Sequence, residues 1–132
     1  MDSSSIQLPG SRITELRVEG DCIRIRFSPA LIIKTMTGSV ERTLWQQSGE
    51  LVFTGAELES EPPGLPAECS GGDVGENVYT YRDMIPMPLS SRGRAHCILA
   101  VQGDDRKLRV RAEAVRLDMQ DVPRYIQHLR PG

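Results

Sequence analysis

Two histidines, His96 and His128, and three cysteines, Cys22, Cys69 and Cys97, are the residues most able to do catalytic or metal chemistry in these 132 residues. Zinc needs about four convergent ligands, and structural sites usually draw them from closely spaced cysteine pairs. No such pair occurs. His96 and Cys97 are neighbours in a strand-like run, so their side chains should point to opposite faces of a sheet. No metal site is expected. Nucleophilic catalysis requires a nucleophile held against a base, and no Gly-x-Ser-x-Gly turn supplies one. Cys97 reads as a core residue. Cys22 shares its parity with Arg24 and Arg26 and reads as an edge thiol near basic side chains. Gly71, Gly72 and Gly75 stand beside Asp73 and Glu76 and precede strand-like residues, so they form no phosphate cradle. No catalytic residue and no cofactor is assigned.

Two features point to binding. Arg24 and Arg26 alternate with Ile23, Ile25 and Phe27, and Arg109 and Arg111 alternate with Leu108 and Val110. If those two strands are neighbours, the four arginines form a cationic patch able to grip carboxylate or phosphate groups through forked hydrogen bonds. The second feature is the stretch containing Tyr79, Tyr81, Met84, Ile85, Met87 and Leu89. It is poor in charge, stiffened by Pro86 and Pro88, and rich in residue types enriched at protein interfaces.

The elements that must position these residues read as strands. The alternation over 23–27 is the clearest half-buried strand, reached through the turn Glu19-Gly20-Asp21. Pro29 marks an edge, a bulge or a break between strands. Leu44 and Trp45, being adjacent, face opposite sides of any strand that contains them. Gly103-Asp104-Asp105 joins two strands into a hairpin, and the phase slip beyond Ala114 predicts a bulge near Glu113. Three segments read otherwise. Residues 1–10 are polar and suggest a flexible leader ahead of one β-rich domain over 11–132. Residues 60–75, with Pro62-Pro63-Gly64, Pro66 and Gly71-Gly72, suggest a long acidic loop. Residues 121–130 suggest one short helix, with Asp121 as its cap, Pro123 in its first turn, and Val122, Tyr125, Ile126 and Leu129 along one stripe.

The fold expected is therefore mainly β, an antiparallel sandwich or partly open barrel of about seven or eight strands with a C-terminal α-helix. Charge is distributed unevenly: residues 57–76 carry six acids and no base, whereas residues 77–132 carry ten bases against six acids. The net charge of −2 does not suit a nucleic-acid-directed domain. No apolar run approaches the length of a membrane span, and the N-terminus lacks the features of a secretion signal, so a cytoplasmic address is expected without membrane partners. The functional expectation is a noncatalytic protein-interaction or scaffolding module, most simply a homodimer. The competing expectation is a small-ligand-binding protein or enzyme, with a pocket between the sheet and the 60–75 loop and arginines that hold an anionic ligand.

Overall fold

The computed structural model describes residues 2–38 and 40–130, and every element among them is a strand. The eleven are β1 (Ser3–Gln7), β2 (Arg12–Glu19), β3 (Cys22–Thr35), β4 (Arg42–Thr54), β5 (Glu57–Leu58), β6 (Ala67–Glu76), β7 (Tyr79–Arg82), β8 (Met84–Met87), β9 (Ser90–Val101), β10 (Asp104–Met119) and β11 (Arg124–Leu129). All pairings are antiparallel. Six strands close a barrel in the order β2-β3-β4-β10-β9-β6 and back to β2. The closing seam is short, pairing Arg12 with Glu68 and Ile13 with Ala67. It is reinforced by the Cys69 amide, which donates to the Ser11 carbonyl at 2.7 Å, and by the Gly10 amide, which donates to the Cys69 carbonyl at 2.9 Å. Closure removes the exposed edges that a small open sheet would have to defend.

β3 and β4 are longer than the barrel wall and run past it. The register slips between Phe27 and Ala30, where Pro29 stands, so the proline occupies a bulge that bends the pair out of the barrel. Beyond that bend the two strands carry a second, five-stranded sheet in the order β8-β1-β3-β4-β11. One face of this extension packs on the barrel core. Along it Ile85, Ile6, Ile32, Trp45 and Tyr125 form a single cross-strand row. The first three are fully buried or nearly so, while Tyr125 at the outer edge is 54% exposed. Trp45 and Tyr125 meet edge to face at 5.4 Å, and Lys34 Nζ lies 4.1 Å from the Trp45 ring centroid. The barrel interior is filled by the alternating residues of its walls, among them Ile23, Ile25, Phe27, Phe53, Cys97, Leu99, Leu108 and Val110.

Four expectations need correction. The polar residues 1–10 are not a flexible leader: β1 lies inside the extension between β8 and β3, with Ile6 and Leu8 fully buried. The buried Ser11 donates to the Gln7 carbonyl at 2.5 Å and accepts from the Leu31 amide at 2.9 Å, tying β1 to β3. The loop expected over 60–75 ends before Ala67, because β6 forms a wall of the barrel. The C-terminal helix is not formed. Its residues make β11, which pairs with β4 from Arg42 to Gln46, and Asp121 takes a positive φ of 63° instead of capping a helix. An isolated helix of about eight residues is marginal in water, whereas the edge of β4 offers unpaired backbone groups that a strand satisfies at once. Finally, of the sandwich and the partly open barrel expected with seven or eight strands, the structure takes the barrel, closes it with six strands and appends a sheet, giving eleven strands among the described residues.

Candidate functional site

The four arginines do not come together. β4 lies between β3 and β10, so Arg24 and Arg26 are separated from Arg109 and Arg111 by a full strand. Arg24 and Arg26 are instead drawn into a network around Glu50, which is only 4% exposed on the outer wall. Glu50 accepts from Arg17 Nη2 at 2.9 Å and pairs with Arg24 Nη1 at 3.5 Å. Gln120 completes the network, accepting from Arg26 Nη1 at 2.5 Å and donating to Glu50 at 3.3 Å. The hydrogen bond to Glu50 raises the pKa of the Arg17 guanidinium, with the neighbouring carboxylates adding to it. This part of the stripe is a self-contained polar cluster that holds β2, β3, β4 and the end of β10 together.

Arg111 is engaged in the same manner. It bonds Glu57 and lies 3.9 Å from Glu59, and the Glu57 hydrogen bond raises its pKa further. Arg109 lies on the same outward face two residues away, opposite Ile98 of β9. Arg106 meets Glu61 at 3.1 Å, and Arg82 meets Asp73 at 3.2 Å. The acidic middle of the chain thus folds against its basic C-terminal half. The uneven charge along the sequence is largely cancelled in space.

The stretch from Tyr79 to Leu89 divides. Ile85 and Leu89 enter the core, at 0% and 5% exposure, and Met87 packs against it. Ile85 and Leu89 are thereby removed from the surface, while Met87 stays partly exposed. Tyr79 is 61% exposed on β7, Tyr81 is partly exposed, and Met84 is partly exposed on β8.

Met84 leads to a surface that strand alternation alone could not assemble. On the outer face of the extension two cross-strand rows lie side by side. One runs Met84, Gln7, Leu31, Gln46, Arg124 and the other Pro86, Ser5, Ile33, Leu44, Gln127. Only Arg124, at the outer edge, is charged. Leu31, Ile33, Leu44 and Met84 are partly exposed and do not join the core cluster. An antiparallel sheet with one solvated face usually sets polar residues there. Here the order is reversed locally: Ile32 and Lys34 face inward while Leu31 and Ile33 face out.

A concavity lies on the outer barrel wall across β5, β10 and β9, with a volume of about 650 Å³. Arg94, His96 and Ile98 line it from β9, Arg111 and Glu113 from β10, and Glu57 and Glu59 from the strand end beyond Gly55. His96, opposite Cys97 in direction as its neighbour position requires, lies over Gly75 of β6, where a methyl group would overlap the imidazole ring. The other histidine, His128, sits on β11 with Nε2 2.7 Å from Glu41 Oε2. Among the described residues no three His, Cys, Asp or Glu side chains come together as metal ligands would, and no helix is long and apolar enough to cross a membrane. Comparison of the chain with protein-family models, curated proteins and solved structures matched none of them.

Proposed function

We propose that the protein is a noncatalytic interaction module that pairs with a second copy of itself through the outer face of the extension sheet. The observation that carries this reading is the set Leu31, Ile33, Leu44 and Met84, partly exposed, outside the core, and contiguous on a face whose two central rows hold one charge. A like-on-like contact requires that the same patch meet itself. A face whose central rows carry only Arg124, at their outer edge, meets its own copy with little like-charge repulsion, whereas the barrel wall presents arginine and glutamate in numbers.

The size of the face sets the expected strength. Five strands about 4.8 Å apart and two rows about 7 Å apart cover roughly 340 Å², comparable with the largest patches of ordinary monomers. Two such faces together bury roughly 700 Å², which belongs to the weak, transient class of interfaces. Association on this face is therefore expected to be weak and concentration-dependent. Sedimentation velocity from low to high micromolar concentration tests the reading, with Leu44→Asp as the disrupting variant. That side chain points away from the core, so the variant should remain folded while losing the concentration dependence.

A further inference from the structure

We infer that the groove over β5, β10 and β9 is a binding site for a small zwitterion of the amino-acid or short-peptide type, with its carboxylate on Arg94 of the β9 wall and its ammonium on Glu113 of β10. The inference is independent of self-association, because the groove lies on the barrel and the proposed contact face lies on the extension.

Three observations support it. The volume of about 650 Å³ falls within the range of ligand-binding clefts and exceeds what one or two waters occupy. The two walls differ in sign. Arg94 and His96 alternate on the outer face of β9, and Glu57 and Glu59 stand on the opposite side with Glu113 between, so donors face carboxylates across the cleft. Arg111 in the floor is already bonded to Glu57 and close to Glu59, which leaves Arg94, His96 and Glu113 for a ligand. None of these three side chains makes a hydrogen bond or ion pair among the described residues.

Glu113 lies flat over Gly55, where an added methyl would come within 2.6 Å of Glu113 Oε2 and 3.0 Å of its Cβ. His96 lies over Gly75 of β6, on the side of β9 away from β10. Glu113 is thereby laid along the cleft, while His96 leans toward β6 at its rim, and Ile98 and Ala56 supply apolar lining. A purely anionic ligand would meet three glutamates, and a purely cationic one would meet Arg94 and Arg111. A ligand bearing both charges in the right order satisfies each wall with a charge-assisted hydrogen bond.

The test uses the full chain and glycyl-phenylalanine as the probe, beside its N-acetylated form and its C-terminal amide, with binding read by isothermal titration calorimetry. The free dipeptide should bind at least about tenfold more tightly than either blocked form, the loss expected for one charged hydrogen bond. Arg94→Gln should abolish the preference for the free carboxylate and keep the preference for the free amine. Glu113→Gln should do the reverse. Both positions are exposed, and unchanged melting temperatures would show that the variants fold. Equal binding of free and blocked dipeptides, no binding of any of the three, or variants that retain both preferences would each overturn the inference.

Discussion

β6 pairs with β9 in the barrel wall, and at Gly72 an added side chain would run into the backbone of β9. A methyl group there would overlap the Ile98 carbonyl oxygen and come within 2.9 Å of Leu99 Cα, both backbone positions that no side-chain rotation can relieve. Gly72 also takes φ +148°, a conformation that residues with a Cβ adopt at a cost of about 1–3 kcal/mol. Forcing the two strands apart adds an overpacking cost of about 1–3 kcal/mol. Gly72→Ala should therefore destabilise the fold by about 4 kcal/mol, a large share of the 5–15 kcal/mol typical of a domain. Gly20→Ala is the control: φ is +63° and nothing lies within 4 Å, so only the backbone term of about 1–2 kcal/mol applies. Urea unfolding of both variants measures the difference, expected at about 3 kcal/mol with an unchanged denaturant slope. If Gly72→Ala costs no more than Gly20→Ala, the β6–β9 seam is not packed as described.

Three further outcomes follow from burial and charge. Under native conditions a thiol reagent should modify Cys22 alone, since Cys69 and Cys97 are buried, and all three should react in denaturant; fast labelling of two or more in the folded protein would contradict the core assignment. Burial pushes the Cys97 thiol, and that of Cys69, above the ordinary value of 9.0, so the folded chain holds protons that the unfolded chain releases. Stability from this source is constant below pH 9 and falls above it, by at most about 1.4 kcal/mol per pH unit for each thiol, and Cys97→Ala should flatten that limb in pH-dependent chemical unfolding. Asp104 is held below its ordinary 3.8 by Arg106 first and then by the Gly64 amide, which donates to it at 2.9 Å. Its contribution is present above pH 3.8 and lost as pH falls, so Asp104→Asn should show a shallower acid limb than the parent in acid titration by circular dichroism.

What the sequence revealed and what it hid follow one rule, the range of the interaction. Alternation over Ile23, Ile25 and Phe27, the hairpin at Gly103, the bulge beside Glu113 and the break at Pro29 are local signals, and each corresponds to a feature of the fold. β6 was obscured because Gly71, Gly72 and Gly75 read as loop punctuation, when at Gly72 and Gly75 the missing side chain makes room for backbone and for His96. β11 was obscured because Val122, Tyr125, Ile126 and Leu129 satisfy a helical stripe, and only the distant edge of β4 selects the strand. The arginine patch failed for the same reason. Parity placed Arg24, Arg26, Arg109 and Arg111 on outward faces, and nothing local shows that β4 separates them or that Glu50 collects the first pair. Met84 stands out in the sequence by residue type, but that Leu31, Ile33 and Leu44 share its face becomes visible only once β1, β3 and β4 are laid side by side.

Sedimentation velocity of the parent chain beside Leu44→Asp tests self-association through the outer face of the extension sheet most directly. The parent's weight-average sedimentation coefficient should rise from the monomer toward the dimer value as concentration passes through the micromolar range, and Leu44→Asp should stay at the monomer value with an unchanged melting temperature. A parent chain that remains monomeric at high micromolar concentration, or a Leu44→Asp variant that associates as well as the parent, would contradict it.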